Sequence, residues 1–317
     1  MDKKYRLLEN DTFRFKDDNG IVRKLYRIEA LQEIREDVTV GTKGGYVECE
    51  RNLSQTGSCW IYDDAKVYDM AKILDDAIVY DNARVYDYAI CDGISQVFED
   101  STVSGYASVR NDARVFGRAI VCNYAIIEGH ARVYDDVTIA GGTITDITQI
   151  YGEAMIKNGY ICKDAKVSGS VIIDGDVSIG EDGFVSKQND FISISGIGIG
   201  CETLTAYRTK DNRTNIVYSG GFIGNIGEFT KYISDETIFG TYTTSELKLI
   251  IQMILKHMAT DFTQDLEQIE SNDDEYGMPD EPEFLEDEDI DDDEDFFESL
   301  ANGLVMEDEE SPATYDE

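Results

Sequence analysis

The chain has 317 residues, 42% of them hydrophobic, and carries a net charge of −37. That length suffices for two or three domains. So acidic a balance disfavours direct binding to a phosphate backbone, and no apolar run approaches the ~20 residues of a membrane helix.

The charge is unevenly spread. Residues 271–317 hold 22 of the 65 acidic residues and none of the 28 basic ones, which leaves a moderately acidic body. The opening residues MDKKYRLLEN lack the apolar core of a secretory signal, which points to the cytoplasm. Six cysteines (Cys49, Cys59, Cys91, Cys122, Cys162, Cys201) are scattered without a CxxC pair. Neither a disulfide framework nor a metal site is expected from them.

Residues 1–52 do not repeat. Alternating pieces such as Phe13-Arg14-Phe15 and Val22-Arg23-Lys24-Leu25-Tyr26-Arg27-Ile28 read as short strands around an Asp18-Asn19-Gly20 turn. A stack of strands has open ends that invite edge pairing, and terminal units of repeat proteins cover such ends. Residues 1–52 are therefore expected to form an N-terminal β cap.

A six-residue rhythm then sets in. Small residues recur at Ala65, Ala71, Ala77, Ala83, Ala89, Ser95, Ser101 and on to Ala131. Two places after each sits a β-branched residue, from Val67 and Ile73 to Ile139, with Cys91 the one exception. Strand side chains alternate between faces, so the small and branched residues point inward together. The Asp, Asn or Gly that follows is a turn former that tolerates left-handed backbone. Each hexapeptide is one strand and one corner, and three close a coil of 18 residues. A fixed hexapeptide period marks a parallel β-helix, here of about seven coils over residues 53–186.

Period 18 also sorts the outward residues. Tyr62, Tyr80, Phe98, Phe116 and Tyr134 form one aromatic column on the first side, with Trp60 and Ile78 beside it. A corner column holds Met70, Tyr88, Tyr106 and Tyr124. Stacked aromatics stabilise a sheet, and contiguous apolar surface marks an interface. These aromatic residues are the candidate binding surface. The first side is expected to be covered by another subunit, in a trimer or dimer, or by the C-terminal part of the chain.

Leu25-Tyr26-Arg27-Ile28, Gly41-Thr42-Lys43-Gly44-Gly45-Tyr46-Val47, Asn52-Leu53-Ser54-Gln55 and Gly57-Ser58-Cys59-Trp60-Ile61-Tyr62 carry a resemblance. They look like the start of the YdcK-like hexapeptide-repeat proteins of bacteria and prophages, often labelled acyltransferases. The similarity spans roughly residues 3–186, and residues 193–258 resemble the C-terminal part of prophage members. The resemblance implies a left-handed winding, against the usual crossover rule, and a mobile-element origin.

Past Ile139 the repeat slips, regains phase near Ala154-Met155-Ile156, slips again near Tyr160-Ile161-Cys162 and is restored by Ala165-Lys166-Val167. Each slip reads as a bulge or short protruding loop. Residues 187–260 read as a small α+β unit. The glycine-rich stretch 193–200 lacks the Lys-Ser/Thr of a phosphate loop. A hairpin is expected around Lys210-Asp211-Asn212, a helical turn near Phe229, and a helix capped by Ser245 with Leu247, Ile250, Ile251, Ile254, Leu255 and Met258 on one stripe. That stripe needs a partner, either the end of the prism or its aromatic side. Residues 261–317 read as a disordered acidic tail, in which Phe296, Phe297, Leu300 and Leu304 have the helical spacing of a groove-binding motif.

For catalysis the fold's acyltransferases need a His base and a CoA groove between subunits. This chain has two His. His130, at a corner, is the candidate base, with Glu128 or Asp112 to orient it; His257 reads as structural. The expectation is therefore a non-catalytic phage or prophage-type β-helix protein without a cofactor. It would engage or inhibit a host protein, one that binds nucleic acid if the acidity mimics nucleic acid. The alternatives are a CoA-dependent acyltransferase using acetyl-CoA, and a virion component.

Overall fold

Two-residue strands separated by four-residue corners dominate the chain, as the six-residue rhythm requires. The computed structural model describes residues 3–17, 20–197, 201–233 and 244–259. Strands β1 (Tyr5–Lys16), β2 (Val22–Ala30) and β3 (Lys43–Val47) are followed by the short strands β4 (Trp60–Ile61) through β25 (Phe184–Val185). Every third short strand pairs in parallel, giving three flat faces. The first face runs from Trp60–Ile61 to Phe184–Val185, the second from β3 to Ile172–Ile173, and the third from Lys72–Ile73 to Ser178–Ile179.

The solenoid has about eight turns, one more than expected. The first face has eight rungs within the expected repeat, and β3, assigned to the cap, supplies the eighth rung of the second face by pairing antiparallel with β2 and parallel with Lys66–Val67. It is at once the last strand of the cap and the first rung of the second face. Seven strand spacings give a prism about 34 Å tall.

Hydrogen-bond accounting explains the corner residues. In the first corner the N–H groups of Tyr62, Asp64 and Lys66 donate to Val79, Asp81 and Ala83 of the next coil, while the Ala65 N–H closes the turn on Tyr62. The left-handed residue between them has its N–H outside that ladder. A carboxylate one coil earlier takes it: Asp63 Oδ2 accepts from Asp81, Asp81 Oδ2 from Glu99, and Glu99 Oε2 from Gly117. Asp63, Asp81 and Glu99 all have φ near +55°, where Asp and Asn are tolerated better than other non-glycine residues. Part of the negative charge of the body is thus spent on holding coil to coil.

The interior is the branched column plus the small column, both solvent-excluded. Its two serines differ. Ser101 Oγ donates to Phe98 O at 2.7 Å, whereas Ser95 Oγ is buried without a partner among the described residues.

The phase slips are deletions, not protruding loops. Ile139 to Ile144 and Ile156 to Ile161 are five residues apart, at the same corner of successive coils. Gly142 (φ +81°) and Gly159 (φ +131°) close these shortened corners. A Cβ on Gly142 would lie 2.4 Å from Gly159 O, so the tight corner admits no side chain.

Both ends of the prism are plugged. At the start, Tyr5, Ile28, Val38 and Leu53 join Trp60 and Ile61 in one buried cluster. The buried Lys4 ammonium donates to Cys59 O at 3.0 Å, satisfying a carbonyl where the coil begins. At the other end, β26 (Phe191–Ile197), β27 (Glu202–Arg208), β28 (Thr214–Tyr218) and β29 (Phe222–Asn225) form an antiparallel sheet. Tyr207 and Phe191 face the prism core, while Leu204, Ala206 and Ile216 face two helices, α1 (Ile226–Tyr232) and α2 (Thr244–Ala259). The α2 stripe of Leu247, Ile251, Ile254 and Met258 is buried on this sheet, not on the prism end or the aromatic side, because the sheet stands between. The glycine-rich stretch enters β26 as strand; residues 198–200, the Ser245 side chain and residues 260–317 lie outside the described residues, and with them the Phe296, Phe297, Leu300 and Leu304 motif. No helix among the described residues is long and apolar enough to cross a membrane.

Candidate functional site

The aromatic columns assemble as period 18 dictates. On the first face Tyr80, Phe98, Phe116, Tyr134 and Tyr151 stack with centroids 4.6–5.3 Å apart and planes within 7°. Tyr151 enters this ladder because the deletion precedes it, so it lies 17 residues after Tyr134. These rings are half-buried. Burial pushes the phenols of Tyr80 and Tyr134 up.

Two residues assigned to this surface are placed elsewhere. Trp60 is in register with Ile78 but fully buried, its ring met edge-on by Tyr5 at 6.4 Å. The cap covers it, so Trp60 belongs to the core and not to a binding surface. Tyr62 packs on the same core; burial first, and neighbouring Asp37 second, push its phenol up to about 12.

The corner column is the open one. Tyr88, Tyr106 and Tyr124 stack at 4.8 and 5.2 Å and are 51%, 54% and 72% exposed. The ridge ends at Tyr124, since the deleted residue of the next coil is its counterpart. Gly141 and Gly142 occupy that step. Below it a cleft of about 570 Å³ is lined by Gly159, Tyr160, Asp176, Thr203 and Ser219, where the prism meets the C-terminal sheet.

His130 lies at a different corner, beside Asp112 of the preceding coil. Its Nδ1 is 2.9 Å from Asp112 Oδ2, and its side chain is 69% exposed. Of the two candidate orienting carboxylates the geometry selects Asp112, because stacking brings residues 18 apart together. Neither His130 nor Asp112 lines the clefts of about 400–570 Å³ found among the described residues. His257 Nε2 donates to Phe191 O at 2.9 Å and fastens α2 to β26. Among the described residues no group of three His, Cys, Asp or Glu is placed to hold a metal. The Cys91 thiol is buried in the core and raised by that burial, so it is an inert packing group.

Sequence reading missed a second column on the first face: Arg114, Arg132, Gln149, Lys166 and Phe184 stand in register. The signal was present in the residue before each inward Val or Ile, but the slips hid it beyond Ile139.

No family model matches the chain. A curated relative, an uncharacterized acetyltransferase YdcK of Escherichia coli K12, is 41% identical over 63 residues. That match covers 19% of this chain and 19% of the relative, about a fifth of its length. Together with the solenoid it places the chain loosely among hexapeptide-repeat proteins.

Proposed function

We propose that the chain is a non-catalytic β-helical binding protein that engages a protein partner through the corner tyrosines. The observation that carries this reading is the exposed Tyr88–Tyr106–Tyr124 stack. Tyrosine supplies large, rigid contact area at low entropic cost, and it is enriched at interface centres. Here each ring is further held by the one above it, on a corner whose backbone is bonded from coil to coil. An acidic body selects a partner with a basic surface, which agrees with a host protein that binds nucleic acid.

A second reading, acyl transfer, is favoured by one specific observation, the His130–Asp112 pair. A carboxylate that accepts from Nδ1–H leaves Nε2 free to take a proton. The acetyltransferase name of the Escherichia coli relative points the same way, over the fifth of the chain that matches. In that reading acetyl-CoA would be the acyl donor.

The two are separated by one pair of variants. Affinity capture from a bacterial lysate is expected to lose its specific partner with Tyr106→Ser/Tyr124→Ser and to keep it with His130→Ala. Saturable heat with acetyl-CoA, and turnover lost in His130→Ala, would instead establish the enzyme.

A further inference from the structure

The first face combines two features, an aromatic ladder and a column of cations. One column is the half-buried aromatic ladder. Beside it Arg114, Arg132 and Lys166 stand in strand register. Among the described residues Arg132 and Lys166 form no ion pair, and both are exposed; Arg114 reaches Asp112 only at 3.8 Å. A protein of net charge −37 thus presents three cations in one column, with Gln149 between Arg132 and Lys166, beside an aromatic ladder.

The lower end of this face is where the chain leaves the described structure. Phe184, its last outward residue, lines a cleft of about 410 Å³ together with Lys187, Lys210 and Ala259. Ala259 ends α2, and 58 residues follow it in the sequence. They include the acid-only stretch 271–317 with Phe296 and Phe297 inside it. Helix α2 does not cover the first face, since its apolar stripe is spent on the C-terminal sheet.

We propose that residues 284–310 dock in cis along the first face. Their carboxylates face Arg114, Arg132 and Lys166, and the Phe296-Phe297 pair faces the aromatic ladder. The distances permit it. Four rungs separate Phe184 from Arg114, about 19 Å, while the connecting residues 260–283 can reach several times that at ~3.3 Å each. Tethering supplies an effective concentration in the millimolar range, so individually weak contacts suffice. The contact is electrostatic in large part and loosens as salt screens it. This surface is distinct from the corner tyrosines, and the inference stands whether or not they bind a partner.

The test is zero-length carbodiimide cross-linking of the full chain at high dilution, with equal parts of 14N- and 15N-labelled protein. The reagent joins a lysine amine to a carboxylate with loss of water, so only touching groups react. Lys72, exposed on the third face, is the internal control. Cross-links from Lys166 to residues 284–310 are expected within single isotopic chains, about tenfold above those from Lys72, because docking holds the carboxylates at the first face while the tether serves both lysines. Arg114→Gln/Arg132→Gln is expected to bring the two lysines to parity, as is 0.5 M salt. Equal yields from Lys166 and Lys72 in the unmodified sequence would overturn the proposal, and that comparison needs no variant to fold. Cross-links dominated by mixed isotopes, or an excess unchanged by the Arg substitutions, would overturn it too.

Discussion

Asp81 tests the account of the corners. Its φ is +55°, and its Oδ2 accepts the Glu99 N–H of the next coil at 3.1 Å. Asp81→Ala removes the acceptor, a net loss of about 1 kcal/mol for the hydrogen bond. It also leaves an alanine in left-handed backbone, at a further cost of about 1 kcal/mol. Asp81→Gly removes the same acceptor without the second cost, so its loss is about 1 kcal/mol. Asp81→Asn keeps an oxygen acceptor and a residue tolerant of left-handed backbone, and is expected within about 0.5 kcal/mol of the parent. Urea unfolding followed by circular dichroism, with the slope unchanged, reads these as midpoint shifts in the order Asn, Gly, Ala. Alanine as stable as asparagine would refute the coil-to-coil carboxylate bond. The chain already contains a natural version of the series, for Gly117 holds this corner position one coil after Glu99.

Other consequences can be measured on the same preparation. Ser95→Ala deletes a buried hydroxyl without a partner and is expected to raise stability by about 1 kcal/mol, whereas Ser101→Ala loses its bond to Phe98 O and lowers it by a similar amount; equal effects would contradict the distinction. Gly142→Ala would place Cβ 2.4 Å from Gly159 O at φ +81° and should cost about 3 kcal/mol by thermal or urea unfolding. Tyr62 contributes through its neutral form: with its folded phenol pushed up to about 12, that stability is complete below the unfolded value near pH 10 and drains away as pH rises toward 12. The alkaline fall in melting temperature over that window should be shallower in Tyr62→Phe, and an identical profile would exclude the contribution. Among the thiols, exposed Cys201 should react fastest with a disulfide reagent and buried Cys91 only on unfolding.

Most of the prism was legible because its rules are local. Alternation places Ala65 and Val67 inside, and the turn formers at the corners announce left-handed backbone. What the sequence hid was set by neighbours a coil or more away. A deleted corner residue and an inserted one both break the phase, and the strand register, with Thr143 opposite Ile126 and Tyr160 opposite Thr143, shows which occurred. That choice decides whether Tyr151 joins the ladder and where Lys166 stands. Trp60 has the register of a surface residue, but Tyr5, distant in sequence, covers it. The pairing of His130 with Asp112 needs both the coil length and the corner geometry. The partner of the α2 stripe likewise had two plausible answers in the prism, and the C-terminal sheet supplied a third.

The most direct trial of the functional claim is quantitative affinity capture with three full-length baits: the parent chain, Tyr106→Ser/Tyr124→Ser, and His130→Ala. A specific protein is expected to be retained by the parent and by His130→Ala and depleted with the tyrosine variant. Retention by all three baits, alongside acetyl-CoA turnover that His130→Ala abolishes, would contradict it.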